Sequence, residues 1–437
     1  MNDSPSSAGL RLVFRALSHR NYRLFFGGQS ISLIGTWLQL IAVSWLVFRL
    51  THSSFLLGVV GFTSRIPTFL FASFAGVLVD RWNRHRLLVA TQVLSMIQAL
   101  ILAVLVLTDT IAVWHIIVLT LFLGLVNAFD VPVRQSFVVD MIERREDLGN
   151  AIALNSSMVN GARLVGPSVA GILIAAMGEG LCFLLNALSF VAVIAALLAM
   201  RIAPKTRERD KAPLWHGLTE GYRYAFGFFP IRSLLLLLAL ISFMGMPYTV
   251  LMPVFAGKIL HGGPKTLGFL LGATGVGALV GALFLASRRS VLGLGRIIVT
   301  ASTLFGIGLI GFSFSRLFML SAVLMVVTGF GMMVQMTSTN TVLQTIVEED
   351  KRGRVMSFYT MAFMGMVPFG SLFAGSLASA IGAPETTMIG GISCILGSIL
   401  FARKLPALRK MVRPIYTEKG IISQNSLPTN PPKRQRT

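Results

Sequence analysis

Twelve runs of about twenty mostly apolar residues follow one another along the 437-residue chain, and no other feature constrains its fold as strongly. A helix of that length crosses a hydrocarbon core of about 30 Å. In lipid the backbone must satisfy its own hydrogen bonds, so each run is predicted as a helix. The runs cover residues 22–50, 55–79, 87–107, 111–133, 151–177, 181–200, 233–257, 267–287, 297–314, 318–343, 355–381 and 386–402. Charged residues make up 13% and hydrophobic ones 54%, whereas a soluble domain is about a quarter charged. The expected fold class is an all-α polytopic membrane protein.

The formal net charge of +21 raises the question of nucleic acid, which position answers. With a cytoplasmic N-terminus, both ends and the even-numbered connections face inward, and 31 of the 38 Lys and Arg fall there. Basic residues of membrane proteins collect on that side and set orientation. The expected surroundings are therefore the bilayer, with both termini cytoplasmic in a cytoplasmic (inner) membrane, and no nucleic acid. Residues 1–21 are polar and basic, unlike a cleavable signal. Cys182 and Cys394 fall inside spans and read as small buried hydrophobes.

A long basic connection after the sixth span divides the chain into two sets of six. The expected organisation is a cytoplasmic segment (1–21), a six-helix bundle (22–200), a cytoplasmic linker with an interfacial helix (201–232), a second bundle (233–404) and a basic, partly disordered tail (405–437). An internal repeat supports the division. With an offset of 204, Gly149, Gly161, Gly166, Gly171 and Gly178 fall on Gly353, Gly365, Gly370, Gly375 and Gly382. Earlier in the halves an offset of 210 places Gly35 on Gly245, Gly58 on Gly268 and Arg86 on Arg296. Two parallel halves related by an axis along the membrane normal enclose a central cavity, and glycines at helix contacts let backbones approach closely.

Ionisable groups inside spans cost about 2.5 to 3.5 kcal/mol on insertion scales and point to function or to a partner. Arg65, Asp130 and Arg163 are of this kind. Two readings of Arg163 stand open: a structural ion pair with Asp130 on the adjoining span, or a charge facing the cavity beside Arg65 to meet an anionic or polyphenolic substrate. Gln39, Asn127, Asn160, Gln335 and Asn340 are further candidates for a substrate or proton pathway. Asp130 is the one carboxylate clearly inside a span, so proton coupling rests on a short inventory.

Enzyme signatures are missing. The chain has no Walker-type loop, and its six histidines are scattered without metal-ligand spacing. No cofactor, metal or catalytic residue is expected.

Two motifs carry a family resemblance. "GVLVDRWNRHR" is similar to the loop between helices 2 and 3 of major facilitator superfamily transporters, with Gly76, Asp80, Arg81, Arg84 and Arg86 at the matching positions. The second half, "GALFLASRRSVLGLGR", lacks the acid. "GARLVGPSVAG" resembles the superfamily's antiporter motif through Gly161, Gly166, Pro167 and Gly171. Residues 15 to 405 are similar to the bacterial branch containing siderophore exporters and macrolide or multidrug efflux proteins.

The resemblance implies a twelve-helix secondary exporter of a small organic molecule, working as a monomer by alternating access, with protons as the counter-ion. An importer or facilitator of the same superfamily, and a non-transporting scaffold, are the alternatives. Asp80 is expected to form half of a cytoplasmic latch, meeting Arg134 or the start of helix 11 when that side is closed.

Overall fold

A computed structural model describes residues 14–71, 82–201, 223–288 and 290–422. Eleven helices are long and apolar enough to cross a membrane. The longest, Leu148–Leu198, contains a chain reversal at Gly178, so the crossings number twelve.

We label them in chain order. The first half holds α1 (Arg20–Thr51), α2 (Ser54–Thr63, resuming over 66–71), α3 (Arg84–Leu107), α4 (Val113–Met141), α5 (148–177) and α6 (179–198). The second holds α7 (229–259), α8 (Pro264–Ala286), α9 (Leu294–Phe314), α10 (Phe318–Ile346), α11 (352–381) and α12 (Ala383–Glu418). An even number of crossings places residues 14 and 422 at one end of the bundle, the terminal end; the opposite end is the far end.

The α5–α6 and α11–α12 reversals are copies of one device. Gly178 has φ 78° and ψ 171°, and Gly382 has φ 102° and ψ 155°. A side chain strongly disfavours that region, so glycine allows an abrupt turn. The two positions are those superposed by the 204-residue offset.

Prolines shape the helices nearer the centre. Pro67 brings no N–H to the Thr63 carbonyl, and α2 breaks at Ser64 and Arg65. In the second half the helix widens into π-turns: Ile241–Gly245 just before Pro247, Phe255–Ile259 just after Pro253, and Met361–Gly365 just before Pro368. Such turns absorb an interrupted hydrogen-bond ladder without ending the helix.

At the terminal end the segment before α1 is tied to the start of α5. Tyr22 donates to the Ala151 carbonyl at 2.8 Å, and buried His19 pairs with Asp147 at 2.9 Å. The His19 hydrogen bond, with Arg15 nearby, holds the Asp147 carboxyl below its ordinary range.

Within the tail expected as basic and partly disordered over 405–437, α12 continues as helix to Glu418, through Pro406 and Pro414. Leu405, Leu408, Val412 and Ile415 recur at helical spacing, and that face packs on the second half's core. A Schellman motif stops the helix: Gly420 (φ 68°) donates to the Thr417 carbonyl and Ile421 to the Tyr416 carbonyl, at 3.0 and 2.8 Å. The expected interfacial helix covers residues 214–229; its part up to 222 lies outside the described residues, and 223–227 are helical.

Gly178→Ala and Gly382→Ala each force a Cβ into the disfavoured region. Each is expected to lower stability by about 1–3 kcal/mol, read as an earlier thermal unfolding midpoint in detergent. Gly149→Ala, where nothing lies within 4 Å of an added Cβ, should leave the midpoint in place.

Candidate functional site

The two halves meet along two strips that the repeat makes equivalent. In one, α2 lies on α11: a Cβ on Gly58 would sit 2.8 Å from the Gly375 Cα. In the other, α5 lies on α8: a Cβ on Gly171 would sit 2.9 Å from the Gly268 Cα. Gly58 and Gly268 are counterparts at offset 210, and Gly171 and Gly375 at offset 204, so the contacts exchange under the pseudo-two-fold. Both lie toward the far end. There Lys258 also donates to the His52 carbonyl at 3.0 Å across the halves.

The α2–α11 strip runs inward to Phe62 and Phe69, whose rings meet Phe369 at centroid distances of 6.0 and 5.6 Å. The α5–α8 strip runs inward to Gly275, where an added Cβ would sit 3.1 Å from the Arg163 carbonyl oxygen. That carbonyl would have bonded the N–H that Pro167 lacks. The described close approaches thus seal the far half of the molecule, and the seal ends near mid-depth at Arg163.

Arg65 and Arg163 stand beside this inner edge. The Arg65 side chain is exposed. Arg163 is partly buried. The two guanidinium groups are close enough to repel each other, and Arg163 is within electrostatic reach of Tyr248 on α7. Tyr248 belongs to the second half, so groups of both halves stand within electrostatic reach of one another. Among the described residues, neither arginine has a carboxylate partner.

The expected Asp130–Arg163 pair does not form. Asp130 is 3% exposed and binds Arg134 one turn along α4 at 2.7 Å. Its other oxygen accepts from Thr91 and Gln92 of α3, at 2.8 and 2.7 Å. Three donors on its own side of the bundle occupy the carboxylate, and Arg163 has no carboxylate partner among the described residues.

Other predicted residues divide between packing and the cavity. Gln39 is buried in a chain of amides: it donates to Gln98 at 2.8 Å and accepts from Asn186 at 2.6 Å, joining α1, α3 and α6. Gln335 is also buried and reaches Thr339 on its own helix at 3.3 Å. Asn127 and Asn340 are partly exposed, and Asn160 is exposed with its amide on the Ser156 carbonyl. Gly166 packs on Trp37 and Gly171 on α8, whereas Gly161 faces open space.

Gly76, Asp80 and Arg81 lie outside the described residues. Arg86 donates its backbone N–H to the Asn83 cap at 3.1 Å, and Arg84 reaches Asp140 at 3.5 Å. Arg134, expected opposite Asp80, is engaged by Asp130. Sequence reasoning passed over Glu179, which pairs with Arg49 at 2.8 Å at the far end of the first half. Its place beside Gly178, at a hairpin facing the end of α1, was the available signal.

A bundle of twelve membrane-crossing helices in two equivalent halves, with cations beside the seam, defines a membrane transporter of major facilitator type. Residues 13–418 match the transmembrane secretion effector family, and the chain belongs to that family of the major facilitator superfamily. It is similar to the staphyloferrin A transporter of Staphylococcus aureus, 28% identical over 87% of this chain and 95% of that protein. It is also similar to the multidrug efflux pump Tap of Mycolicibacterium fortuitum, 26% identical over 86% and 93%. Macrolide efflux protein A of Streptococcus pyogenes is 22% identical over 86% and 95%. Among solved structures, a bacterial homologue of the iron transporter ferroportin in its inward-facing state superposes with a TM-score of 0.68. It is 16% identical, covers 88% of this chain and 98% of its own, and attests the fold.

If the glycine strips hold the far end shut, Gly58→Val with Gly268→Val should open it. A cysteine introduced at Ser54 is then expected to react severalfold faster with a membrane-impermeant maleimide than in the parent. An unchanged rate would show that the strips yield without opening.

Proposed function

We propose that the chain is a secondary exporter that carries a small organic anion from the terminal end, taken as cytoplasmic, to the far end by alternating access. The observation that carries this reading is the pair of cavity-side arginines without a carboxylate. One fixed charge within the membrane is costly, and two that repel each other in a low-dielectric setting cost more. A bound anion relieves both penalties at once, because each guanidinium offers a planar fork to a carboxylate or phosphate. Siderophore-like metabolites and drugs that carry a carboxylate or phosphate are the matching cargo, and the relatives include a staphyloferrin A transporter, a multidrug efflux pump and a macrolide efflux protein.

The described contacts support a conformation closed at the far end. Arg163 sits where the α5–α8 strip ends, so cargo drawn to it would lie against the seam. Proton antiport is the proposed coupling. Asp130 is the membrane carboxylate available, and its clamp on α3 would have to loosen when a proton arrives.

Purified protein in liposomes, supplied with a labelled carboxylate siderophore and an imposed pH gradient, tests the reading. The parent is expected to accumulate cargo against its gradient, and Arg65→Gln or Arg163→Gln to lose at least about tenfold in rate, since 1.4 kcal/mol of lost binding is a factor of ten. Transport of the anionic cargo by these variants at the parent's rate would overturn the anion site. Accumulation indifferent to the pH gradient would remove the antiport, and an Asp130→Asn protein that stays gradient-driven would remove Asp130 as its coupling group.

A further inference from the structure

A second cavity lies away from the seam, at the terminal end of the second half. It has a volume of about 400 Å³ and lies between the start of α7, the turn into α9, the end of α10 and the extension of α12. That volume falls within the 300–1,000 Å³ usual for small-ligand sites. Its walls are apolar, with Leu234, Ile298, Val342, Phe401 and Leu408 all buried. Arg296, Arg409 and Arg413 also line it, and no Asp or Glu does. Arg296 and Arg409 are exposed. Two more cations stand close by, Arg232 and Lys404 over the Phe229 ring at 5.7 and 5.8 Å.

We infer that this groove binds an anionic phospholipid, its phosphate on Arg296 and Arg409 and an acyl chain along the Leu234–Phe401–Leu408 wall. The division of the lining matches the division within such a lipid. Apolar atoms sit on helix segments entering the membrane, and charge gathers where the chain leaves it. Basic pockets between helix ends on the positively charged side suit anionic headgroups. An amphipathic extension like that of α12 rests at the headgroup level.

The chain's own end is a poor occupant. Residues 423–437 contain Lys433, Arg434 and Arg436 and no Asp or Glu, so their charge does not complement the arginines. A neutral lipid would fill the apolar wall and leave the cations unmatched. The inference stands apart from the transport reading, since none of these residues borders the Arg65 and Arg163 site.

The test uses the full-length protein in mild detergent. Native mass spectrometry with phosphatidylglycerol is expected to show a retained lipid, and phosphatidylcholine at equal concentration to be retained about tenfold less. Phosphatidylglycerol should also raise the thermal midpoint. Arg296→Gln with Arg409→Gln should abolish both preferences while keeping the lipid-free midpoint. Leu408→Trp, which fills the groove, should lower retention with the arginines intact. If the double variant folds poorly, Arg296→Gln alone decides by the same retention ratio. Equal retention of the two lipids, or unchanged preference in the variants, overturns the site. A midpoint rise of equal size with inorganic phosphate alone would replace the lipid by a free anion.

Discussion

The structure depends on backbone meeting backbone across the seam. In lipid no hydrophobic drive pushes helices together, so association comes from van der Waals contact and requires small residues. Gly58 against Gly375 and Gly171 against Gly268 place main chains where any side chain would intrude. Because the repeat interchanges the contacts, one geometry is used twice and the far end closes symmetrically about the axis. Among the described residues the two strips hold no ion pair and no buried side-chain hydrogen bond that must be broken to part them, the Lys258–His52 contact being exposed. They can therefore open and close at modest cost, as a transporter requires and a structural interface does not.

The same sequence rules that build the spans place the cations at the seal's inner edge. Pro67 breaks α2 next to Arg65, and Pro167 frees the Arg163 carbonyl toward Gly275. Each arginine thus sits at a point where the helix has yielded part of its ladder, and local bending there moves the charge relative to the seam. The counterparts at the repeat offsets are Gly275 for Arg65 and Val367 for Arg163. The shell is symmetric while the charge belongs to one half. An anion held there would be carried by the first half and released by movement against an uncharged partner.

Much of the architecture was legible because it follows from composition and period. Apolar run length yields the twelve crossings, and the glycine offsets marked both positive-φ reversals. The partners of polar groups were less legible, since lipid-embedded residues have several neighbours at similar depth. Asp130 illustrates this: its partner Arg134 lay one turn away in the same span, an i, i+4 spacing that favours pairing, yet the adjoining helix offered a rival. The α12 extension was hidden by Pro406 and Pro414, which argue against helix locally. The Leu405, Leu408 and Val412 face outweighs them through burial.

The choice of partner by Asp130 has a cause with a consequence for the site. A polar group inside the bilayer takes whichever partner satisfies it with least rearrangement, because an unmet bond there has no water to fall back on. Asp130 finds Arg134, Thr91 and Gln92 within its own half, and Gln39 finds Gln98 and Asn186. Each half thereby consumes its polar groups internally and can move as a unit. Arg65 and Arg163 are the exceptions, cations that the described fold leaves without a carboxylate. With Asp130 and Gln39 met from within their own half, a pair of cations without a carboxylate beside the seam is the place where an external ligand fits.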